Sequence, residues 1–368
     1  MFLTELSLLN FRNIEKQTIP FENDINIIFG KNGQGKTSLL EAIFFFSITK
    51  SFRTNAEKTV LQHDKEYFDI KGMFTANNSN RLDARVYYSH KEGKNIFLNS
   101  NKLKKYSELI GIFPAILLSL EDMELISGDP GNRRRFMDIL LSQVNPLYLQ
   151  SLQKYKKSLQ QRNKLLSLIN AGESKRAALE PWDSQLVTYG MEIIEARMAL
   201  GDYLDRQLSG FYRMISKTDD EIGVKFKSNV LDADGGLNKD YYSKKLFNAV
   251  EGDIMRQRTN IGPHRDDLEF LKDGFPIKAY GSQGENKTLL IALKFCESQY
   301  LKERLKEDPL ILMDDIFGEL DISRINNLLN YLPSIGQTFI TTTLRNKFEQ
   351  SGLKNPAYIQ IERGAVVQ

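Results

Sequence analysis

The 368-residue chain is long enough for roughly two to three domains and for a substantial hydrophobic core. Hydrophobic residues make up 41% of it and only 10 residues are proline, a composition that excludes a disordered or collagen-like protein. Its 50 basic and 47 acidic residues give a net charge of +3, too close to neutrality to indicate nucleic-acid binding by bulk electrostatics. Any such binding must come from local patches of charge.

The cysteine content and the apolar runs indicate the compartment. The single cysteine, Cys296, cannot form an internal disulfide, and no His/Cys cluster accompanies it. The longest apolar runs, 42–48 and 113–118, are shorter than the roughly 18–20 residues that span a bilayer. The N-terminus lacks the basic-then-apolar layout of a signal peptide. We therefore expect a cytoplasmic protein without a membrane anchor.

The predicted elements begin with strands and a buried helix. Alternating residues at 2–11 and the apolar run at 25–29 predict two strands. The apolar residues that follow Thr37 predict a helix buried against a sheet. Further on, β-rich stretches within 66–101, separated by Asn, Ser and Gly, predict an antiparallel sheet.

The middle of the chain, from about 130 to 215, has a helical pattern. Leu152, Leu159 and Leu166 recur every seven residues, and a second amphipathic series follows them. Helices of about 24 and 33 residues would reach only about 36 and 50 Å, which indicates a lobe or short arm and not a long coiled coil.

Beyond Gly281 the pattern alternates between helix and strand. The predicted elements are a helix at 288–306, a strand at 310–313, a helix at 323–332 and a strand at 338–342. Together with the early strands, this alternation predicts an α/β fold with mixed sheets and an inserted, mainly helical lobe.

A phosphate-binding motif lies between the second predicted strand and the first helix. The segment Gly30-Lys-Asn-Gly-Gln-Gly-Lys-Thr37 fits the P-loop pattern G-x-x-x-x-G-K-[ST] in the strand-then-helix context that the motif requires. An ordinary glycine-rich turn would not need that context. We expect Lys36 to bridge the β- and γ-phosphates and the Thr37 hydroxyl to ligate Mg²⁺. The predicted nucleotide-binding residues are Gly30, Lys31, Asn32, Gly33, Gln34, Gly35, Lys36 and Thr37.

Two acids end the apolar strand predicted at 310–313. In α/β sheets ligands bind at the carboxyl ends of the strands, so we expect Asp314 to hold Mg²⁺ and Asp315 to polarise the attacking water. The alternative is that the acids only cap the following helix. Thr37 and Asp314 are far apart in sequence, which predicts a large insertion and a sheet that joins the N- and C-terminal segments.

A second anion-binding segment precedes the predicted helix at 288–306. In Gly281-Ser-Gln-Gly-Glu-Asn286, Ser282 and the backbone N–H groups around Gly284 could bind phosphate. Because the P-loop already serves the nucleotide of this chain, this segment would meet a nucleotide held by another copy. The alternative is a plain helix N-cap made by Ser282 or Asn286.

Taken together, these residues resemble the ATPase heads of the ABC type, in the DNA-maintenance branch of the SMC proteins and Rad-type repair ATPases. Within that branch the chain is similar to the bacterial RecF family, along its whole length. The motifs that carry the resemblance are Leu9-Asn-Phe-Arg-Asn13, Lys50-Ser-Phe-Arg-Thr54, Glu121-Asp-Met-Glu-Leu125, Gly131-Asn-Arg-Arg-Arg-Phe136, Leu159-Gln-Gln-Arg-Asn163, Ile261-Gly-Pro-His-Arg-Asp-Asp-Leu268, Tyr280-Gly-Ser-Gln-Gly284 and Asp314-Asp-Ile-Phe-Gly-Glu-Leu-Asp321.

The resemblance implies an ATP-dependent protein of DNA repair and replication that takes part in the SOS response. Such a protein binds single-stranded DNA and gapped duplex junctions, forms a homodimer on ATP and is a weak, DNA-stimulated ATPase. It would work with RecR and RecO to help place RecA at gaps. The ATPase head would comprise 1–125 and 256–368, and the helical lobe 126–255.

The resemblance also implies roles for single residues. Asp314 and Asp315 would serve Mg²⁺ and water, Ser282 would reach the γ-phosphate of the partner copy's ATP, and Asp321 would lie in the segment that crosses the dimer. Arg12 and Asn13 would contact phosphate.

The chain departs from the ABC pattern in three places. Many ABC ATPases have a glutamate where Asp315 stands, and the shorter side chain agrees with slow hydrolysis. The histidine that often follows the next strand is replaced around Thr341-Thr-Thr343. No Gln-loop glutamine can be placed near Leu118-Ser-Leu-Glu121. Activation of water is therefore the least defined part of the predicted mechanism.

Basic residues in the helical region are candidate DNA contacts. Phosphate binding needs exposed cations, and a solvated helix face is the equally weighted alternative for each. An aromatic ladder is missing from this set, which favours recognition of backbone and junction shape. The candidates are Arg133, Arg134, Arg135, Lys154, Lys156, Lys157, Arg162 and Lys164.

His264 has no second His or Cys at ligand spacing, so we favour a structural hydrogen-bonding role. Two functions besides the RecF-like one stay open at this point. The first is an ABC-type ATPase subunit coupled to another partner, such as a membrane transporter. The second is a non-catalytic scaffold whose nucleotide only stabilises the fold.

Overall fold

The computed structural model describes residues 1–54, 56–319, 328–329, 331–349, 353 and 355–367. The strands are Phe2–Phe11 (β1), Ile14–Pro20 (β2), Ile25–Phe29 (β3), Tyr67–Thr75 (β4), Arg81–Ser89 (β5), Gly93–Leu98 (β6), Asn101–Lys102 (β7), Ala115–Ser119 (β8), Ile222–Lys227 (β9), Asp267–Lys272 (β10), Phe275–Pro276 (β11), Leu310–Asp314 (β12), Thr338–Thr342 (β13), Ala357–Glu362 (β14) and Ala365–Val366 (β15). The α-helices are Lys36–Ile48 (α1), Pro130–Val144 (α2), Pro146–Asn170 (α3), Glu180–Ser216 (α4), Lys239–Asn248 (α5), Val250–Arg256 (α6), Ile277–Tyr280 (α7), Gln283–Leu305 (α8) and Arg345–Glu349 (α9).

The chain divides into two compact units. The first contains Met1–Met123, Phe211–Thr218 and Lys287–Gln368, and the second contains 124–210 and 219–286. The second unit is longer than the helical lobe predicted at 126–255. The difference arises because β10 pairs with β9 in antiparallel register, which ties the residues after 255 to this unit.

One sheet of the first unit joins the two ends of the chain, as the sequence predicts. Its strand order is β15-β14-β3-β13-β12-β8. Strand β3, from the N-terminal part, pairs in parallel with β13 on one side and β14 on the other. Strand β12 pairs in parallel with β13 and β8, so the carboxyl ends of these strands meet at one edge.

The second sheet of this unit is antiparallel, with strand order β2-β1-β4-β5-β6-β7. It confirms the antiparallel sheet predicted within 66–101 and adds the two N-terminal strands. Helix α1 is buried over most of its length, as predicted, and its phenylalanines pack on those of the sheet. The rings of Phe46 and Phe74 lie edge to face with centroids 5.3 Å apart. Such buried aromatic pairs add about 0.5–1.5 kcal/mol beyond burial alone, and they fix the helix that the P-loop begins.

The second unit consists of helices and a three-stranded sheet of order β11-β10-β9. Asn145 caps α3 by accepting hydrogen bonds from the backbone N–H groups of Leu147 and Tyr148. The predicted helices of about 24 and 33 residues are found as α3 and α4, of 25 and 37 residues. Pro181 lies in the first turn of α4. Proline is tolerated there because the backbone N–H that it lacks would have no partner within the helix.

Most of the helix predicted at 323–332 falls outside the described residues. In the part of the chain that the structure describes, no helix combines the length and the apolar character needed to cross a membrane.

Candidate nucleotide-binding site and surrounding residues

The P-loop connects β3 to α1 and depends on glycine at two positions. Gly30 has φ +154°, and a Cβ there would lie 2.4 Å from the carbonyl oxygen of Ile361. Gly35 has φ +111°, and a Cβ there would lie 3.0 Å from the Asn13 side chain. Larger residues at either position would displace the strand or the loop beside it. The loop conformation expected from the motif is therefore fixed by its neighbours in the fold.

Lys36 spans the P-loop from its base. Its Nζ donates hydrogen bonds to the carbonyl oxygens of Gly30, at 2.8 Å, and Lys31, at 3.0 Å. Burial lowers the pKa of Lys36, while Asp315 and Asp314 act in the opposite direction. A cation held inside a loop of backbone N–H groups is suited to bind the phosphates of a nucleotide.

Thr37 and Asp314 meet at the carboxyl edge of the sheet. The Thr37 hydroxyl donates to Asp314 Oδ1 at 2.9 Å and lies 3.1 Å from Oδ2. Thr341, at the end of β13, donates to the same carboxylate at 2.7 Å, and its Oγ1 accepts the N–H of Asp315 at 3.0 Å. Thr341 belongs to the segment Thr341-Thr-Thr343, around which the histidine of many ABC proteins is replaced. Its role was not predicted, although its position at the end of the strand next to β12 is a signal for it.

Asp315 follows β12 in a left-handed backbone conformation, with φ +52°. Burial raises its pKa, Lys36 lowers it and Asp314 adds to the rise. A carboxylate with a raised pKa is a better proton acceptor than an ordinary surface aspartate. The neighbouring acid, Asp314, is already bound to the Thr37 hydroxyl.

A cavity of about 530 Å³ connects these groups. It lies within the first unit, and its volume falls in the range of small-molecule sites. The cavity is lined by Arg12, Asn13, Asn32, Gly33, Gly35, Lys36, Thr37, Ser38, Arg53, Thr59, Leu61, Asp314 and Asp315.

The turn between β1 and β2 brings Arg12 and Asn13 to this cavity. Asn13 Nδ2 donates to the Gly33 carbonyl at 3.4 Å, and Asn13 Oδ1 accepts from the Ser38 hydroxyl at 3.2 Å. The Arg12 guanidinium makes two hydrogen bonds to the Glu41 carboxylate, at 2.9 and 2.6 Å. Asn13 thus supports the P-loop directly, whereas Arg12 is held by a buried carboxylate of α1.

Three residues of this region were missed at the sequence level. Glu41 is fully buried and also accepts from the Ser51 hydroxyl, and it lies 3.8 Å from the Arg53 guanidinium. Ser51 and Arg53 belong to the Lys50–Thr54 motif, which carried the family resemblance without a role of its own. A buried carboxylate needs a partner, and this requirement is the signal that links Glu41 to the basic motifs.

The remaining P-loop residues are Lys31, Gln34 and Asn32, the last of which also lines the cavity. Lys31 and Asn32 are exposed. Gln34 binds the C-terminal hairpin: its side-chain oxygen accepts from Arg363 N at 2.6 Å, and its backbone oxygen accepts from Gly364 N at 2.9 Å. Gln34 therefore anchors the loop to the last strands of the sheet.

Ser282 lies in the second unit and caps α8. Its Oγ accepts the N–H of Glu285 at 3.3 Å, and its own N–H donates to the Glu285 carboxylate at 2.7 Å. This reciprocal pair is a capping box. Ser282 is exposed. In the cap its hydroxyl only accepts a hydrogen bond, so it can still donate its proton to another group.

The prediction that Arg133 and Arg162 contact DNA is wrong, because both side chains are buried in ion pairs of the second unit. Arg133 binds the Asp267 carboxylate through Nε at 2.6 Å and Nη2 at 3.1 Å. Arg162 has no exposed side-chain surface and binds Asp183 and, at 2.7 Å, Asp253. Neither guanidinium can reach a DNA phosphate while these contacts hold.

The other basic candidates differ in their surroundings. Arg134 is half-buried and donates to the Asp266 carbonyl at 2.8 Å, whereas Arg135 is exposed. The exposed lysines of α3 are Lys154, Lys156, Lys157 and Lys164. Among these lysines, Lys156 pairs with Asp138 at 3.0 Å and Lys154 lies 5.2 Å from the centre of the Tyr189 ring.

His264 is a hydrogen-bonding residue of the second unit, as the sequence analysis favours. Its Nδ1 lies 2.7 Å from the Tyr155 hydroxyl, and its Nε2 lies 2.9 Å from the carbonyl of Thr259. Burial lowers its pKa to about 4. Among the described residues, no group of three or more His, Cys, Asp or Glu could hold a metal ion by itself. Asp321, placed at the dimer crossing by resemblance, lies outside the described residues.

The fold and this site define a P-loop ATPase head of the ABC type, in which the nucleotide sheet is assembled from both ends of the chain. The family model described as "RecF/RecN/SMC N terminal domain" matches residues 2–366. The chain belongs to this family and, within it, to the RecF proteins.

Similar proteins support this assignment over the full length. The DNA replication and repair protein RecF of Bacillus cereus (strain G9842) is 35% identical over 371 residues, which cover 100% of this chain and 98% of the relative. A solved structure of "the recombination mediator protein RecF-ATPrS in RecFOR pathway" has a TM-score of 0.92 at 31% identity, covering 99% of this chain and 97% of that one. A second, of RecF-ATP, has a TM-score of 0.87 at 30% identity and covers 99% and 98%.

Proposed function

We propose that this chain is an ATP-dependent DNA-binding protein of recombinational repair and replication. The observation that carries the proposal is the contact between Thr37 and Asp314, which completes a nucleotide site from the two ends of the chain. The related structure described as RecF-ATP, in the RecFOR pathway, supports ATP as the ligand. By the same relation, the chain works in the cytoplasm with RecR and RecO to help place RecA at gaps in DNA. It is also needed for SOS induction.

The first role of the site is to bind ATP. Lys36 exchanges its contacts with the loop carbonyls for the β- and γ-phosphates, and the backbone N–H groups from Gly33 to Thr37 receive the remaining phosphate oxygens. Asn13 keeps the loop open by its contacts with Gly33 and Ser38. This arrangement accounts for the glycines at the positions of close approach.

The donor set beside the P-loop fits Mg²⁺. The Thr37 hydroxyl and the Asp314 carboxylate are oxygen donors that lie side by side, and Mg²⁺ prefers one or two protein oxygens together with substrate phosphates. When bound, the ion would compensate phosphate charge. The Thr341 hydroxyl keeps the Asp314 carboxylate oriented toward Thr37.

The second role is slow hydrolysis. Asp315 accepts the proton of a water molecule at its carboxylate, and the raised pKa favours that transfer. Its side chain is one methylene shorter than the glutamate of many ABC ATPases, which agrees with slow hydrolysis. Stimulation of this hydrolysis by DNA is proposed from the relation to the RecF family alone. Lys36 stabilises the charge that develops on the phosphates.

The third role is ATP-dependent dimerisation. Ser282 caps α8 through the lone pair that accepts the N–H of Glu285, and its proton is then available to a phosphate oxygen held by a second copy. In the same way, the partner's Ser282 would contact the phosphate that is bound at the P-loop of this chain. Asp321 is proposed to lie in the segment that crosses the dimer.

The fourth role is binding of single-stranded and gapped duplex DNA. The exposed lysines of α3, with Lys154, Lys157 and Lys164 along one helix, are suited to contact phosphates without reading bases. Burial of Arg133 and Arg162 reduces the number of cations in this surface but leaves the lysines.

The proposed function is tested by the mass of the chain in solution, measured with and without ATP and Mg²⁺ and again with a gapped duplex. We expect a dimer only with ATP, and a larger complex when DNA is added. A monomer in the presence of a non-hydrolysable ATP analogue and gapped DNA together would contradict the proposal.

A further inference from the structure

The segment that contains Ser282 is tied to strand β10 by an ion pair. Lys272, the last residue of β10, contacts the Glu285 carboxylate and lies 3.2 Å from that of Asp220. Glu285 accepts the N–H of Ser282 at 2.7 Å, and its own N–H donates to Ser282 Oγ. Lys272 thus holds the carboxylate that completes the capping box.

The charges of this pair are stable over a wide range of pH. The ion pair with Lys272 and the hydrogen bond from Ser282 lower the pKa of Glu285 to about 2, and the same contact raises the pKa of Lys272. The two side chains are 23% and 29% exposed. An isolated surface pair contributes little to stability, but this carboxylate is shared with a helix cap, so its position affects the backbone at Ser282.

Strand β10 is also fixed at its other end. Asp267 forms the two hydrogen bonds with Arg133, and Asp266, just before the strand, lies 2.8 Å from Arg197 Nη1. The strand is therefore anchored to α2 and α4 at its beginning and to α8 at its end. An ion pair on such an anchored strand can set the position of the neighbouring segment.

We propose that Lys272 is a positioning residue for Ser282: by holding Glu285, it keeps the hydroxyl in the orientation that meets a nucleotide phosphate on a second copy of this chain. This inference rests on the proposed dimerisation. The Ser282 oxygen accepts the N–H of Glu285, which leaves the hydroxyl proton for an acceptor outside the capping box. Without Lys272, the Glu285 side chain has no cationic anchor on β10, and the capping geometry loosens.

The first measurement follows amide hydrogen exchange in the nucleotide-free monomer, so it does not depend on dimerisation. We expect Lys272→Met to speed exchange in the peptide 280–286 about fivefold, and Lys272→Arg to stay near wild type. The matched control is Lys227→Met, which removes the 2.7 Å ion pair between Lys227 and Glu269 in the same sheet. Unchanged exchange in Lys272→Met would overturn the proposal.

The second measurement compares nucleotide binding with dimerisation. For Lys272→Met we expect the affinity of the chain for ATP to change less than about twofold, and ATP-driven dimerisation to weaken about tenfold. Lys227→Met should dimerise like wild type. Normal dimerisation of Lys272→Met, with wild type also dimeric, would refute the positioning role. A wild-type chain that stays monomeric with ATP would instead refute the proposed function, and the exchange result would still decide whether Lys272 orders the segment.

Discussion

Thr37 and Asp314 are separated by 277 positions, yet the hydroxyl of the first donates to the carboxylate of the second at 2.9 Å. The proposed nucleotide site needs both residues. The P-loop follows strand β3 in the N-terminal part of the chain, whereas Asp314 ends strand β12 in the C-terminal part. The contact makes nucleotide binding a property of the whole first unit. It also defines which substitutions should affect nucleotide and which should affect only stability.

Replacing Lys36 by Ala removes the cation that spans the P-loop. We expect the ATP-dependent association with gapped DNA to be lost while the fold is retained, since the hydrogen bonds of Lys36 to the Gly30 and Lys31 carbonyls lie within the loop itself. The measurement is gel filtration with ATP and DNA, together with circular dichroism. Association equal to that of wild type would reject the role of nucleotide in DNA binding.

Substituting Asp315 by Asn keeps the shape of the side chain but removes its capacity to accept a proton. We expect ATP binding to persist and the hydrolysis rate to fall by about 10²–10⁴-fold. Asp314→Asn is the comparison, because it should instead weaken the effect of Mg²⁺ on nucleotide binding. Hydrolysis that continues at the wild-type rate in Asp315→Asn would exclude this residue as the base.

The Ser282→Arg variant places a bulky cation at the exposed start of α8. ATP should still bind each chain with near wild-type affinity, because the P-loop is unchanged, but the dimer should fail to form. Sedimentation in the presence of ATP measures the mass of the complex. Ser209 is not a suitable site for a control arginine, because its hydroxyl accepts a backbone hydrogen bond from Ile222. The exposed Ser79, in a surface turn, is the better site for a control arginine. An ATP-dependent dimer of normal stability would remove Ser282 from the interface.

Two cations on the same helix should separate stability from DNA binding. Arg162→Met leaves the buried Asp253 carboxylate without its ion pair, and we expect a loss of about 3–5 kcal/mol in the free energy of unfolding. Lys164→Met, two residues further along α3, should change stability by less than about 0.5 kcal/mol. It should weaken DNA binding for all sequences alike and lower the salt dependence by about one counterion. Urea unfolding and binding titrations at several salt concentrations test both. Equal stability of the two variants would contradict the buried network.

His264 should make stability depend on pH. Its pKa is about 4 in the folded chain and 6.5 in its ordinary range, so the folded state binds fewer protons between these values. The contribution of this group is fully present above pH 6.5 and is lost as the pH falls toward 4. His264→Gln should therefore show a smaller fall in the free energy of unfolding between pH 7 and 4.5 than wild type. Identical slopes for the two proteins would show that His264 is not buried in its neutral form.

The local motifs could be predicted from the sequence because each is continuous in the chain. The P-loop, the acids at the end of β12 and the serine before α8 depend on a strand or helix that the neighbouring residues specify. The joined sheet could also be predicted, since the distance between the two motifs requires it. What the motif cannot show is which side chains complete the site from elsewhere, as Thr341 and Glu41 do.

The two buried arginines show why charge patterns were insufficient. The partner of Arg133 lies 134 positions away, and the two acidic partners of Arg162 lie 21 and 91 positions away. A cluster of cations on an amphipathic helix has the same pattern whether it faces solvent or buried acids. Only the tertiary arrangement assigns Arg162 to the core of its unit and leaves Lys164 at the surface.

The position of β3 has a consequence for the order in which the protein can acquire its structure. Both of its neighbours in the sheet, β13 and β14, lie more than 300 positions later in the chain than β3 itself. During synthesis the P-loop strand therefore has no partner on either side until the chain has been made as far as β13. Pairings between such distant segments form slowly, so a nascent or truncated chain that ends before β13 would lack a working nucleotide pocket even though it contains the complete P-loop.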